Sequence, residues 1–233
     1  MRIVVIGGAG RVASLVVPRL AASHEVVVAD RRPATWWDGE FVTVDVLEHE
    51  GLPGLFEEAD ALIYMAMGPL EGWGSPAWAA QHFDVNVTGV HLAMRAAARA
   101  GVPRIVHTSS GSVFSDWNHR SPDDRPDAAD AYGLSKACGE LVARAVAAEF
   151  GVPVVALRLF LPKPDEEFAT MTGSDADIAT AGSDVAAAYL AALTADVEPG
   201  FHTPHISGNR GGTIRIQSAK DLLGWEPEAS RCR

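Results

Sequence analysis

The chain opens Met1-Arg2-Ile3-Val4-Val5-Ile6-Gly7-Gly8-Ala9-Gly10-Arg11-Val12-Ala13, and this stretch decides the fold. The first six residues are apolar and rich in β-branched types, as in a strand buried on both faces of a parallel sheet. Gly7 and Gly10 then allow a tight turn and close approach of backbone to a pyrophosphate. Ala13 stands where a small residue packs the next helix onto the strand. The helix start, at Arg11 and Val12, turns N–H groups and a positive dipole end toward phosphate oxygens. Glycine pairs occur in many loops, and it is the strand before and the helix after that give this one its meaning.

A second strand, Glu25 to Asp30, ends in an acid 20 residues after Gly10. A carboxylate there accepts hydrogen bonds from the adenosine ribose and repels a 2′-phosphate, which favours NAD. Arg31 and Arg32 follow directly, and arginine is the usual partner of a 2′-phosphate, so NADP stays open.

Further along, strands alternate with helices. Helices are expected over Val12 to Ala22 (with Pro18 inside it), near Leu52 to Glu57, over Trp78 to Ala100, and from Tyr132 to Phe150. Strands are expected at Phe41 to Val44, Ala61 to Ala66, Arg104 to Thr108 and Val152 to Leu159. The fold class is α/β: a Rossmann-type doubly wound parallel sheet with a small carboxyl-terminal substrate-binding extension. One domain is expected over residues 1–233. Substrate-binding elements are expected mainly in 67–80, 111–130 and 160–233, because ligands sit at the carboxyl ends of such strands.

Tyr132-Gly133-Leu134-Ser135-Lys136 carries the chemistry. A phenol and an ammonium four residues apart share one face of a helix. A tyrosine of ordinary pKa, ~10, is a poor base at neutral pH. A cation beside it favours the phenolate, and the pair can then move a proton to or from a substrate hydroxyl.

Composition sets the outer limits. The chain has 233 residues, 48% of them hydrophobic, enough for a sizeable core, and a formal net charge of −11. That charge disfavours nonspecific contact with nucleic acid or anionic membranes. No apolar run approaches a membrane span, and because the chain opens on its first strand no signal peptide is expected. The two cysteines, Cys138 and Cys232, form neither a disulfide framework nor a metal cluster, so reduced thiols in a cytoplasm are expected, with no metal. His202 and His205 flank Pro204 in an expected strand, a poor arrangement for a shared metal. His82, His91 and His107 lack metal-like spacing. Trp73 and Trp78 lie where they cap a substrate pocket or plug core or dimer surface.

Together these motifs resemble the extended short-chain dehydrogenase/reductase superfamily, including the NAD-dependent epimerase/dehydratases. Gly7-x-x-Gly10-x-x-Ala13 looks like its amino-terminal motif. Asp45-Val46 is similar to the pair that contacts adenine, and Met65-Ala66-Met67 to the strand end that passes the cofactor ribose. Asn86-Val87-Thr88-Gly89 resembles its mid-helix asparagine motif, and Ile105 to Phe114 its active-site serine strand. Ser183-Asp184-Val185-Ala186 and Leu222 to Pro227 look like later landmarks. The resemblance implies Ser110, Tyr132, Lys136 and Asn86 as catalytic residues. It implies Gly7, Gly10, Arg11, Val12, Asp30, Arg31, Asp45, Val46, Met65, Ala66, Met67, Asn86, Tyr132 and Lys136 around the cofactor. Substrate contacts are expected from Ser75, Ser109, Ser110, Ser112 and Tyr132. A homodimer through the asparagine and tyrosine helices is also implied.

Within that superfamily the chain looks most like the uronate dehydrogenases, through Tyr132 to Lys136, Gly139-Glu140 and Pro162-Lys163-Pro164. Two departures stand out. Where those enzymes carry a carboxylate-holding arginine, this chain reads Asp165-Glu166-Glu167-Phe168. After the serine it reads Gly111-Ser112 in place of Asn-His. The expected activity is hydride transfer between nicotinamide and a sugar-like or other small secondary alcohol or hemiacetal. The alternatives are a nucleotide-sugar epimerase or dehydratase, and a non-catalytic cofactor-binding regulator. A dehydratase would want an Asp-Glu pair after the serine. A regulator has no need of the Ser-Tyr-Lys set.

Overall fold

A computed structural model describes residues 1–229. Cys232 lies outside them. A single parallel sheet runs through the centre. In chain order its main strands are β1 (Arg2–Ile6), β2 (Glu25–Asp30), β3 (Phe41–Thr43), β4 (Ala61–Tyr64), β5 (Ile105–Ser110) and β6 (Pro153–Leu159). They lie side by side as β3-β2-β1-β4-β5-β6, which puts the reversal of strand order between β1 and β4, the crevice where dinucleotides bind.

The strands read as near-continuous apolar runs because helices cover both faces. Ile3, Val5, Val26, Val28 and Ile63 face one layer, formed by α1 (Arg11–Leu20) and helices from the carboxyl-terminal third. Val4, Ile6, Val27, Leu62 and Tyr64 face the other, formed by α2 (Leu52–Leu55), α4 (Val90–Arg99) and α5 (Ala131–Phe150). A one-residue slip of any strand would exchange its two faces, and the helix sets differ, so the register is strongly specified.

Helix α1 passes through Pro18 to Leu20. Pro18 and Ser14 are both exposed, so the Ser14 carbonyl that loses its N–H partner meets water. The expected single helix from Trp78 to Ala100 is instead α3 (Pro76–Phe83), a π-helical turn over Asp84–Gly89, and then α4. The wide turn frees the Val85 carbonyl, and the buried Tyr64 hydroxyl donates to it at 2.7 Å. Gly89 follows because a Cβ there would fall 2.5 Å from the Tyr64 oxygen.

Beyond β6 come β7 (Pro162–Lys163), α6 (Asp165–Thr170), α7 (Ser174–Ile178), β8 (Thr180–Ala181), α8 (Gly182–Thr194), β9 (Gly200–His202), β10 (His205–Ile206) and α9 (Gln217–Leu223). The expected strand around His202 and His205 is split at Thr203-Pro204, and both pieces pair with β6. Proline lacks the ladder donor, which accounts for the break. Asp184 of α8 accepts from the backbone N–H of Glu228 (2.9 Å) and Ala229, and Trp225 Nε1 donates to the Asp184 carbonyl. The two late sequence landmarks thus bind each other. No helix among the described residues is long and apolar enough to cross a membrane.

Candidate active site

The glycine turn is built as its sequence implies. Gly7 has φ +79°, and a Cβ on it would sit 2.2 Å from the Ala66 backbone nitrogen, so both conformation and space demand glycine. Gly7 and Gly8 donate to the Ala29 carbonyl, which ties the turn to β2. Gly10 caps α1 without any side chain, and the first turn holds no acid. The amide groups of Arg11 and Val12 therefore stand at an uncapped helix start suited to a pyrophosphate.

Asp30 closes the same corner. One carboxylate oxygen accepts from the Ala9 N–H and the other from the Arg32 N–H, each at 3.1 Å. Each oxygen keeps lone pairs for ribose hydroxyls. Arg31 and Arg32 are exposed. NADH is therefore expected to bind at least about ten-fold more tightly than NADPH, a difference of about 1.4 kcal/mol. Paired fluorescence titrations measure it, and tighter NADPH binding would mean that the arginines outweigh Asp30. Asp45 turns its carboxylate to the Leu47 N–H. Val46 packs beneath Gly89. Met65 is buried, Ala66 lies against Gly7, and Met67 is exposed at the mouth.

Ser110 ends β5, and its Oγ accepts from the Ser112 N–H at 3.1 Å, which leaves the hydroxyl proton free to donate. Its hydroxyl lies near enough to the Tyr132 phenol to favour the phenolate. Tyr132 lies in the first turn of α5, whose start is capped by Asp130 Oδ1 on the Gly133 N–H at 2.9 Å. Burial pushes the Tyr132 pKa up, the neighbouring Ser110 hydroxyl pulls it down, and the Asp130 charge adds to the rise. The net direction is upward, so without a further positive charge the phenol stays protonated at neutral pH.

Lys136 comes one turn further on and is buried, and its Nζ donates to the Thr108 carbonyl at 3.1 Å. Burial lowers its pKa to about 8, with Glu140 pulling the other way. An ammonium has three donors, and with one given to the Thr108 carbonyl it keeps two for a ribose hydroxyl and for Tyr132.

This lysine costs stability. Below about pH 8 the fold holds a buried ammonium that the unfolded chain exposes to water. From about 8 up to its ordinary value of 10.5 only the unfolded chain keeps the proton, so the penalty fades as pH rises. Lys136→Met is expected to stabilise the ligand-free protein at pH 7 by about 1–3 kcal/mol, or about 2–10 °C in Tm. The same change should weaken NADH binding at least about ten-fold. A lower Tm would show that the bond to Thr108 outweighs burial.

Asn86 sits in the π-helical turn, 1% exposed. Its Nδ2 donates to Ser135 Oγ at 2.9 Å and approaches His82 Nδ1 at 3.2 Å, while its Oδ1 has no partner. His82 Nε2 lies 3.1 Å from the Pro69 carbonyl. A carbonyl only accepts, so the proton is on Nε2 and Nδ1 receives from Asn86. Burial lowers the His82 pKa and keeps the ring neutral. Its ring also meets Tyr132 edge-on, with centroids 5.7 Å apart.

Two helical glycines let these pieces converge. A Cβ on Gly133 would fall 2.1 Å from the Ser112 carbonyl, and one on Gly139 would fall 2.5 Å from the Asn86 carbonyl. Helix α5 thereby accepts the serine turn and the π-helical turn at backbone distance.

Two of the expected substrate residues have their hydroxyls engaged within the fold. Ser109 is 2% exposed and gives its proton to Glu140 Oε1 at 2.6 Å. Strand alternation turns it away from Ser110. Ser75 caps α3, accepting from the Trp78 N–H at 3.2 Å. Ser112 is half-buried next to Ser110. His82 escaped the sequence reading as a site residue, and its only signal was the i, i+4 spacing to Asn86.

The model of the NAD dependent epimerase/dehydratase family matches residues 3–163. The chain belongs to that family. An L-arabinose 1-dehydrogenase (NAD(P)(+)) of Haloferax volcanii is 30% identical over 174 residues, 68% of this chain and 66% of the relative. A uronate dehydrogenase of Pseudomonas putida is 28% identical over 68% of this chain and 60% of its own. A UDP-glucose 4-epimerase of Neisseria meningitidis serogroup C is 31% identical over 69% and 53%. The chain thus spans less than two thirds of the length of these relatives. Among solved structures, a short-chain dehydrogenase/reductase superfamily protein of Agrobacterium tumefaciens with bound NAD superposes with TM-score 0.83 at 20% identity, covering 99% of this chain and 93% of that one. The superposition supports the Rossmann-type fold, and the family's cofactor, NAD, fits the uncapped α1 start, the Asp30 corner and the spare donors of Lys136.

Proposed function

We propose that this protein is an NAD-dependent dehydrogenase oxidising the hemiacetal or a secondary alcohol of a small sugar. The observation that carries the reading is the convergence of the Ser110 hydroxyl on the Tyr132 phenol, with buried Lys136 one turn further along α5. Bound NAD supplies the hydride acceptor. Ser110 holds the substrate oxygen with its spare proton and steadies developing negative charge. Tyr132 takes the hydroxyl proton as the carbon's hydrogen leaves with both bonding electrons. Lys136 favours the phenolate and offers donors to a ribose. Asn86 steadies the turn that faces α5.

Gly111 supports a dehydrogenase over a dehydratase. A Cβ there would lie 2.4 Å from the Phe160 ring, so an acid after the serine would displace that ring. Charge disfavours an anionic substrate such as a uronate. Arg158, Arg120 and Lys163, which flank the expected substrate segments, pair with Glu140, Asp127 and Glu167. A helix of three successive acids, Asp165-Glu166-Glu167, follows the last of these. Segments 67–80, 111–130 and 160–233 remain the proposed substrate-binding elements of one domain. A soluble homodimer belongs to the proposal as well: Leu134 and Leu141 are exposed one above the other on α5.

A panel of aldoses, polyols and uronates with NAD, followed at the NADH absorbance, tests the reading. At least one neutral sugar is expected to yield NADH. Tight binding of a UDP-sugar, with no NADH formed from any free sugar, would favour an epimerase instead.

A further inference from the structure

An exposed tryptophan lies against the proton-transfer residue. Trp73 is 60% exposed, yet its ring centroid is 5.6 Å from Tyr132 and 4.4 Å from Trp78. The two tryptophans that the sequence leaves equivalent are therefore different. Trp78 is 4% exposed, packs on His82 at 4.2 Å and donates its indole N–H to the Pro69 carbonyl at 2.8 Å. It is a fixed floor. Trp73 leans on that floor, its ring tilted 47° to Trp78, and is open to water on its outer side. A large aromatic surface left wet beside reactive groups gains free energy when a ligand covers it.

The backbone around Trp73 is shaped by glycine. Gly72 and Gly74 bracket it, with φ +76° and +83°. No atom lies within 4 Å of a Cβ built on Gly74, so conformation rather than space demands glycine there. Downstream the chain is anchored at once, by the Ser75 cap and Pro76 at the start of α3. Trp73 is thus a single bulky ring held out between two glycines, over a buried support.

We propose that Trp73 forms one wall of a sugar subsite, stacking its indole on the C–H face of a neutral sugar ring whose hydroxyl reaches Ser110 and Tyr132. This rests on the dehydrogenase reading and gives it a substrate class. The chemistry of the wall matches an uncharged ring. Trp78, His82 and Tyr132 around it are aromatic, and His82 is neutral. Glu71, exposed two residues away, repels a sugar carboxylate. Stacking on a pyranose leaves the nucleotide cofactor untouched, so the subsite acts on substrate alone.

The test uses the whole protein with NAD and three probes, L-arabinose, D-galactose and D-galacturonate. Trp73→Ala is expected to raise KM for the neutral sugars at least ten-fold, with kcat within three-fold and NADH affinity unchanged. Trp73→Phe should restore most of the loss. A KM unchanged in Trp73→Ala, or D-galacturonate as the preferred substrate, would overturn the subsite and leave the dehydrogenase standing. If no probe is turned over by the unmodified protein, the dehydrogenase reading falls. The subsite then stands only if a neutral sugar quenches tryptophan emission in the NADH complex and fails to do so in Trp73→Phe and Trp73→Ala. Neither turnover nor quench would sink both. Unchanged NADH binding in each variant excludes misfolding as the cause.

Discussion

Replacing Tyr132 with phenylalanine is expected to lower kcat by about 10²–10⁴-fold, the range that a positioned acid or base contributes. The variant removes one oxygen from a half-buried ring and keeps the ring's contacts with Trp73 and His82. NADH affinity and Tm should therefore stay close to those of the unmodified chain. The expected loss sits in kcat, because the phenol acts on a proton whose transfer belongs to the reacting state. The pH profile adds a second reading. In the ligand-free protein burial and Asp130 hold the Tyr132 pKa above its ordinary value of 10.0, against the pull of Ser110. Oxidation needs the deprotonated phenol, so its rate should climb with alkaline pH, and reduction should fade. Tyr132→Phe should abolish that climb. Activity surviving intact in this variant would remove Tyr132 from the mechanism and, with it, the role given to Lys136.

Much of this was legible in the chain. The glycine turn, Asp30 and the apolar strands stand where their spacing put them, because each is a local rule: period 2, a positive φ, a helix start. The Ser110–Tyr132 pair was legible only as a resemblance, since nothing local tells a strand-end serine that it will meet a tyrosine 22 residues on. The π-helical turn was hidden for a different reason. Its cause is tertiary, a buried Tyr64 hydroxyl that takes the Val85 carbonyl out of the α ladder. Ser109 shows the opposite error. Next to Ser110 in sequence, it shares the serine's chemistry but not its direction, because strand neighbours point to opposite faces. The glycines of α5 were readable as composition but not as function. Only the approach of the Ser112 and Asn86 carbonyls explains why Gly133 and Gly139 lack side chains.

Removing the Glu140 carboxylate is expected to cost about 3–5 kcal/mol of stability, the range for breaking one partner out of a buried ion pair. Arg158 and Glu140 have side chains 2% and 4% exposed. The guanidinium grips the carboxylate twice, Nε to Oε1 and Nη2 to Oε2, each at 2.8 Å. Ser109 donates to the same Oε1, and Arg158 Nη1 donates to the Pro122 carbonyl at 2.9 Å. Phe114 covers the guanidinium, 4.9 Å from its ring centroid. Glu140→Ala leaves that cation buried with one carbonyl for company. Against a whole-domain stability of about 5–15 kcal/mol, the loss should be visible as a large fall in the urea midpoint. Glu140→Gln keeps shape and one acceptor, so a smaller loss is expected. The decisive comparison is Glu140→Met with Arg158→Met. If the penalty is an orphaned charge, the double change should recover most of what the single change loses, since apolar replacements of a buried pair are often neutral. A double variant as unstable as Glu140→Ala would mean that the pair contributes net attraction rather than mutual neutralisation. The pair also bears on the chemistry. It joins α5, which carries Tyr132 and Lys136, to β5 through Ser109, the neighbour of Ser110, and to the 111–130 segment through Pro122. In Glu140→Gln, kcat should therefore fall more than NADH affinity, because the glycine turn lies across the sheet and shares none of these bonds.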